Sequence, residues 1–389
     1  MGTSVVVRGR LEREAGPVDI AVQAGRIQAI RPVEPNAAPP FLGDAECLIA
    51  EGFLDLQVNG FAAVDFNRPA LTVDELRRAI VALWRTGISA FFPTVITAPV
   101  REMLGTLRAI ARAREADAVV RRAIPAIHLE GPFLAPEDGP RGAHPVTSIL
   151  DPDWELFQRL QEAAGGLIRL VTLAPERPGA IGLIWQLRQA GIVVGIGHTA
   201  ATEKEIDEAV QAGAQISSHL GNGAHAMLPR HRNYVQKQLA TDELMATLIV
   251  DGHHLPSYVV KNMVRCKGLE RVILITDAMA AAAAPPGNYR MGEVLAEVGP
   301  DGYVRLPGTP YLAGSALTMD CAVANTMRFA GLRLDEAVGL AGRQPRRLFA
   351  GLGAGVVSGE AADLVVLRPG PFLTVEATIV EGEVVYRRS

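Results

Sequence analysis

The stretch GIVVGIGHTAATEKEIDEAVQAGAQISSH, residues 191–219, contains one complete strand–helix–strand unit. The apolar runs at its two ends are typical of buried strands, whereas the segment between them has the start and stop signals of a helix. Thr202 stands three residues before a glutamate, which is the spacing of a capping box, and Gly213 follows the last helical turn. Each strand is followed by a histidine, His198 and His219.

Similar apolar runs recur through the middle of the chain, and helical segments separate them. The strand candidates are LIAEGFLDLQV, ISAFFPTV, AIPAIHLE, LIRLVTLA, IVVGIGH, QISSH, ATLIVDG and VILITDA. Apolar strands that alternate with helices indicate a parallel sheet, and about eight of them close a barrel. The sequence therefore predicts an α/β fold with a (β/α)₈ TIM-like barrel. Because no G-x-G-x-x-G follows the first strand, a dinucleotide-binding sheet is disfavoured.

Both termini have a different pattern. Short alternating runs broken by Gly and Pro fill the first fifty residues and return in the last thirty, which is typical of small antiparallel sheets. We therefore expect a small β-sandwich domain formed by residues 1–52 and 360–389, with the barrel at residues 53–359 inserted between them. The Ala-rich stretch 280–287 is expected to be a surface turn or part of a gate.

Composition narrows the class of protein. The net charge of −4 over 389 residues gives no reason to expect nucleic acid or an anionic membrane as a partner. No apolar stretch approaches the roughly 18 residues that a membrane span needs. The three cysteines are far apart, which favours a reduced compartment, and we expect the cytoplasm.

Acidic and imidazole side chains end four of the candidate strands: Glu130, His198, His219 and Asp277. Because the carboxyl ends of barrel strands meet at one mouth, these residues are expected to converge. One glutamate and two histidines leave an open position on a divalent metal, and a nearby carboxylate can move a proton. The alternatives are a salt bridge for Glu130, hydrogen-bonded core histidines, and a helix cap or ion pair for Asp277.

The ordered motifs EGFLDLQVNG, HLEGPFL, GAH, GHTAAT, HLGN, DGHH, TDAM and AGSALTM resemble the N-acetylglucosamine-6-phosphate deacetylases of the amidohydrolase superfamily. The resemblance spans nearly the whole chain. It implies a distorted (β/α)₈ barrel with a β-sandwich, often as a homodimer. It also implies a small amino-sugar substrate and one divalent metal ion per chain, Zn²⁺ first, with Fe²⁺ and Mn²⁺ as alternatives.

The same resemblance implies roles for individual residues. Glu130, His198 and His219 would be metal ligands, and Asp277 would be the catalytic acid and base. His144 would orient the amide. The substrate contacts implied by the matching motifs are Ala143, Asn222, and His254 with His253 as its alternative. Many amidohydrolases hold a second metal with His-x-His after the first strand, but this chain has Gln57 and Asn59 there. We therefore expect a single metal and two amides that hydrogen-bond the barrel floor.

One loop departs from the family pattern. The deacetylases usually have HL-x-NAM, whereas this chain reads HLGNGAHAMLPRHRN from His219 onward, with extra residues before the Ala-Met. An arginine after that motif normally meets the substrate phosphate. Arg230 and Arg232 are both candidates, with His231 between them.

The function expected from the sequence is removal of the N-acetyl group of an amino sugar. N-acetylglucosamine 6-phosphate, hydrolysed to glucosamine 6-phosphate and acetate, is the first candidate. An amidohydrolase that acts on another N-acyl amine or on an unphosphorylated N-acetyl sugar is the alternative. A non-catalytic sugar-phosphate sensor is the rival from another class, and it would have no need of Asp277 as an acid and base.

Overall fold

The computed structural model describes residues 5–12, 14, 16–309, 311–353, 355–370 and 372–389. Its strands are β1 (Val5–Arg10), β2 (Pro17–Gln23), β3 (Arg26–Pro32), β4 (Leu42–Glu51), β5 (Phe53–Val58), β6 (Gly60–Phe61), β7 (Val64–Asp65), β8 (Ile88–Ile96), β9 (Ile127–Glu130), β10 (Ile168–Leu173), β11 (Val193–Ile196), β12 (Ile216–Ser217), β13 (Met245–Ile249), β14 (Val272–Ile275), β15 (Gly287–Met291), β16 (Val294–Val298), β17 (Val304–Arg305), β18 (Leu364–Arg368), β19 (Thr374–Val380) and β20 (Glu383–Arg387). Its α-helices are α1 (Val73–Trp84), α2 (Val100–Ala116), α3 (Ala118–Ala123), α4 (Trp154–Ala163), α5 (Ala180–Gln189), α6 (Glu203–Ala212), α7 (Tyr234–Ala240), α8 (Ser257–Lys267), α9 (Met319–Ala330), α10 (Leu334–Ala341) and α11 (Arg343–Arg346). Two short 3₁₀ turns lie at Val146–Ser148 and Leu269–Arg271.

Eight strands form one parallel sheet in the order β14-β13-β12-β11-β10-β9-β8-β5. Its two ends meet just beyond the last strand, because Val58 pairs with Ala278 in a parallel bridge. The buried carboxylate of Asp55 adds a second link, since it accepts the Thr276 hydroxyl at 2.5 Å. The predicted (β/α)₈ barrel is therefore confirmed.

The barrel helices begin where the sequence predicts. At α1 and α6, Thr72 and Thr202 each cap the helix by accepting from the backbone N–H three residues on, and a glutamate returns the bond. Gly213 ends α6 with φ of +113°, a conformation that glycine adopts without steric cost. The apolar sides of these helices are buried against the strands. Among the described residues, no helix has both the length and the apolar character that a membrane span requires.

A seven-stranded sheet is built from both ends of the chain, in the order β20-β19-β18-β4-β1-β2-β3. Only β1 and β4 pair in parallel; the other neighbours are antiparallel. The sheet curls, so that Ile27 at one end donates its backbone N–H to Glu360 O near the other, at 3.0 Å. Its two halves enclose an apolar core that includes Val7, Ile49 and Ile379. The small β domain is confirmed, and its residue boundaries stay a prediction.

A three-stranded antiparallel sheet, β15-β16-β17, lies between the last barrel strand and α9. We call it the flap. It packs on the stretch after Asp277, where Ala280 and Ala281 are buried against it and Ala282 is buried in the barrel core. The start of the Ala-rich stretch is therefore a packed base for the flap, because its small side chains allow the flap to approach closely.

Candidate active site

The acidic and imidazole residues predicted from the strand ends line one cavity of about 460 Å³ at the carboxyl end of the barrel. Glu130 ends β9, whereas His198, His219 and Asp277 lie two residues beyond β11, β12 and β14. Those three have φ values of +50°, +31° and +48°. Left-handed backbone is uncommon outside glycine and clusters at functional sites. Here it is found at three of the four residues that converge on the cavity.

Glu130 is the centre of the histidine cluster. Its Oε1 atom lies 2.9 Å from His219 Nε2 and 3.3 Å from His198 Nε2. The His144 ring is beside them, with Nε2 3.3 Å from His198 Nε2 and 4.0 Å from Glu130 Oε2. All four side chains are buried. A buried carboxylate surrounded by imidazole nitrogens is the donor set of a divalent metal.

The orientation of His198 fits metal binding. Its Nδ1 lies 2.8 Å from Pro140 O, so Nδ1–H donates to that carbonyl and the Nε2 lone pair faces Glu130. The donor atoms of Glu130, His144 and His198 lie within 4.8 Å of one another. This set shares Glu130 and His198 with the set predicted from the sequence, but has His144 where the prediction has His219. Because His219 makes the shortest contact to Glu130, both histidines remain candidate ligands.

The charges of the cluster follow from burial and from one another. Burial, and then the neighbouring His198, lowers the pKa of His144 to about 3, so this imidazole is neutral. Burial opposes the ionisation of Glu130, but the neighbouring imidazoles of His198 and His219 outweigh it and lower the pKa of the carboxyl. Burial and the charge of Glu130 raise the pKa of Asp277 to about 6. The two carboxylates therefore differ in proton affinity, as a ligand and a proton carrier should.

Two amides hold Asp277. Gln57 Nε2 donates to Glu130 Oε1 at 2.9 Å and to Asp277 Oδ1 at 3.1 Å, and Asn59 Nδ2 donates to Asp277 Oδ1 at 2.6 Å. The expectation that these amides bond only the barrel floor was wrong, because both reach up to the carboxylates. Asn59 Oδ1 is buried, has no hydrogen-bond partner among the described residues, and lies at the cavity wall.

A layer of polar side chains lies beneath the cluster. His128 Nε2 lies 2.8 Å from the Thr172 hydroxyl, which lies 2.8 Å from Ser218 Oγ. Thr94 Oγ1 is 3.3 Å from the other nitrogen of His128. Burial lowers the pKa of His128 to about 4, so it is neutral and serves both hydroxyls. This layer satisfies the polar groups of neighbouring strands and supports the ligands above it.

The predicted substrate contacts divide into two groups. Ala143, His144, Asn222 and His254 line the cavity, and so does His253. Arg230 and Arg232 are exposed and lie outside the cavity wall; Arg232 pairs with Glu203 at 3.3 Å instead. Within the described residues, the cavity lining contains no Lys or Arg.

Asp251, which the sequence did not single out, orients His254. Its Oδ2 lies 2.7 Å from His254 Nδ1, and its Oδ1 accepts the backbone N–H groups of His253 and His254 at 2.8 Å each. The imidazole therefore donates through Nδ1, which leaves Nε2 free for the cavity. Burial opposes ionisation of this carboxyl, but His254 outweighs it and lowers the pKa of Asp251. The D-G-H-H motif at residues 251–254 is the sequence signal from which this contact could have been predicted.

The flap supplies a wall that the sequence did not predict. Met291 and Tyr303 line the cavity from the flap, and Tyr311 lines it just after β17. His253 Nε2 lies 3.2 Å from Asp301 O, and its ring meets Tyr303 edge-on at 4.9 Å, which joins the flap to the barrel. The available signal was the series of short apolar runs and Gly turns in residues 287–308.

Comparisons with known proteins agree with this architecture. No protein-family model matches the chain. It is 32% identical to N-acetylgalactosamine-6-phosphate deacetylase of Escherichia coli O157:H7, over 98% of this chain and 99% of that protein. It is 34% identical to N-acetylglucosamine-6-phosphate deacetylase of Bos taurus, over 88% of this chain and 84% of that one.

A solved structure extends the likeness to three dimensions. It is a variant of N-acetyl-D-glucosamine-6-phosphate deacetylase from Mycobacterium smegmatis in complex with N-acetyl-D-glucosamine-6-phosphate. The two chains superpose with a TM-score of 0.89 at 32% identity, covering 99% of this chain and 100% of that one. The resemblance seen in the motifs is thereby confirmed over the full chain. The protein belongs to the N-acetylglucosamine-6-phosphate deacetylase family of the amidohydrolase superfamily.

Proposed function

We propose that this enzyme hydrolyses the acetamide of an N-acetylated hexosamine 6-phosphate, with N-acetylglucosamine 6-phosphate as the first candidate. The observation that carries the proposal is the pair of buried carboxylates, Glu130 and Asp277, joined by the amide of Gln57. Glu130 contacts imidazoles, whereas Asp277 lines the cavity and forms no salt bridge within the described part of the chain. A non-catalytic sugar-phosphate sensor would have a use for Glu130 and its imidazoles but not for Asp277.

The donor set fits one divalent metal ion, held by Glu130, His198 and His219. When bound, the ion supplies Lewis acidity that makes a water molecule more acidic. Asp277 would accept a proton from a water molecule as the oxygen of that water attacks the acetyl carbonyl carbon. Neutral His144 donates an N–H to the carbonyl oxygen as negative charge develops there. Asp277 then gives its proton to the nitrogen as the C–N bond breaks, which releases acetate and the amine.

One observation favours the alternative substrate, an unphosphorylated N-acetyl sugar or another N-acyl amine. The described cavity lining has no guanidinium or ammonium group for a phosphate, and Arg230 and Arg232 lie on the outer loop. Phosphate recognition would then depend on neutral donors such as the amide of Asn222, or on groups from a second chain. A homodimer is part of the proposal for that reason, and the oligomeric state is measured by light scattering.

An acetate-release assay distinguishes the phosphorylated from the unphosphorylated candidate substrates. The purified zinc-loaded enzyme is assayed with N-acetylglucosamine 6-phosphate, N-acetylgalactosamine 6-phosphate and the two unphosphorylated sugars. A kcat/KM at least a hundred times higher for one phosphorylated sugar than for its unphosphorylated form supports the proposal. Equal or higher values for the unphosphorylated sugars favour the alternative. Elemental analysis of enzyme purified from cells identifies the native metal, and cell fractionation tests the expected cytoplasmic location.

A further inference from the structure

The three residues that interrupt the family motif, Gly223–Ala224–His225, lie at the cavity wall between two loops. We call them the insert. One neighbour is the loop of residues 131–145, which carries His144. The other is the start of α7, where Tyr234 is buried.

The backbone of the insert packs closely against the site. A Cβ added to Gly223 would come within 2.6 Å of His198 Nδ1, and one added to Gly142 would lie 3.2 Å from His198 Cε1. The His198 ring is therefore held between two glycine α-carbons. On the outer side, a Cβ at Gly139 would come within 2.9 Å of His225 Cα. The insert and the 131–145 loop are thus in close contact at Gly139.

The side chain of His225 joins the two neighbours. Its Nε2 lies 3.2 Å from Glu137 Oε2, and its Nδ1 lies 3.0 Å from the Tyr234 hydroxyl. The same hydroxyl accepts the backbone N–H of His225 at 2.8 Å. A neutral imidazole satisfies all of these contacts when Tyr234 donates to Nδ1 and Nε2–H donates to Glu137. One side chain thereby connects the 131–145 loop to helix α7.

Hydrogen-bonded turns continue from Glu137 to His144. Arg141 N–H donates to Glu137 O at 3.0 Å, and His144 N–H donates to Arg141 O at 3.1 Å. The guanidinium of Arg141 also donates to His144 O at 3.2 Å. A displacement of Glu137 is therefore transmitted to the backbone of His144 through two consecutive turns.

We propose that His225 is a positioning residue: it clamps the 131–145 loop to α7 and so fixes His144 over the reacting amide. The inference rests on the proposed function for its kinetic part. The expected signature is that His225→Ala lowers kcat about tenfold while the bound metal stays stoichiometric. That loss disappears when the same change is made in a His144→Ala background, because the clamp acts through His144.

Glu137→Ala provides a second variant that tests the same contact from an exposed side chain, so a folding defect is not at issue. It should lower kcat to a similar degree, and the double variant with His225→Ala should be no slower than either single variant. Met227→Ala is the matched control on the same segment. Met227 is 90% exposed, and its loss should leave kcat within twofold.

Hydrogen–deuterium exchange of the zinc-loaded protein tests the clamp without catalysis. His225→Ala should speed exchange in residues 131–145 about tenfold and leave residues 251–256 unchanged. Unchanged exchange in residues 131–145, or an equal kcat loss with and without His144, would overturn the proposal. If the wild-type enzyme releases acetate from no N-acetyl compound, the proposed function fails, and the exchange experiment alone decides the clamp.

Discussion

At the scale of single residues, the surroundings of Asp277 suit the proton transfer that we propose for it. Two amide N–H groups fix one of its oxygens, and burial together with Glu130 raises its pKa to about 6. A carboxyl with this affinity can accept a proton at neutral pH and return it within one turnover.

Asp277→Asn should therefore abolish proton transfer and leave the metal in place, since Glu130 and the histidines are untouched. The expected loss in kcat is on the order of 10²–10⁴-fold, the usual contribution of a general acid–base. On the same preparation, acetate release measures kcat and elemental analysis measures the bound metal. Turnover within tenfold of wild type would contradict the assigned role.

Oδ2 of Asp251 contacts the His254 ring, whereas Oδ1 accepts backbone N–H groups, which makes a selective change possible. In Asp251→Asn the remaining Oδ1 still accepts both backbone N–H groups, but the new NH₂ cannot accept from His254 Nδ1. The imidazole loses its orientation, and KM should rise about tenfold with kcat changed less, as expected for lost substrate binding. Steady-state kinetics gives the split; a loss confined to kcat would show that His254 does not bind the substrate.

At the scale of elements, Lys267 at the end of α8 donates hydrogen bonds to the last turn of α7 and to the chain between α7 and β13. Its ammonium is buried and donates to the carbonyls of Gln238, Thr241 and Leu244 at 2.6–2.8 Å. Burial lowers the pKa of Lys267 to about 8, so at pH 7 the group is charged and pays a desolvation cost that these bonds offset.

Lys267→Met leaves the three carbonyls without that donor and should lower the free energy of unfolding by about 3 kcal/mol. Urea denaturation followed by circular dichroism measures the change. Arg265→Met, on the exposed side of the same helix, is the control and should stay within about 0.5 kcal/mol of wild type. A loss below about 1 kcal/mol for Lys267→Met would show that water replaces the ammonium.

The elements that the sequence predicts are those with local signals. Apolar runs with capped helices between them placed the barrel, and the strand ends placed Glu130, His198, His219 and Asp277 around one cavity. The flap was missed because its strands are short and alternate between exposed and less exposed residues, so their apolar runs are too brief to mark strands by themselves. The hydrogen bonds from Gln57 and Asn59 to the carboxylates were not predicted. They depend on barrel closure, which brings residues far apart in sequence within 3.1 Å. Arg230 and Arg232 illustrate the same limit, since loop geometry decides whether a side chain enters the cavity.

At the scale of the whole molecule, barrel closure depends on a buried carboxyl. Asp55 joins the first and last barrel strands through Thr276, and burial raises its pKa to about 7 from an ordinary 3.8. Between those values the folded protein keeps a proton that the unfolded chain has released. The contribution of Asp55 to stability therefore falls as the pH rises from about 4 to about 7.

Asp55→Asn removes this titration, since an amide is neutral throughout. The free energy of unfolding of the wild type minus that of the variant should decrease as the pH is raised from 5 to 8. Urea denaturation of the zinc-loaded proteins at several pH values measures it. A difference that is constant with pH would mean that Asp55 ionises alike in both states.

The central place of β4 in the terminal sheet has a consequence for biosynthesis. One of its edges pairs with β1, made just before it, but the other pairs with β18, made only after the whole barrel. At about 5–20 residues per second, a ribosome delivers β18 roughly a quarter of a minute to a minute after β4. During that interval the nascent protein presents an unpaired strand edge, an open template for the β4 of a neighbouring chain on the same messenger.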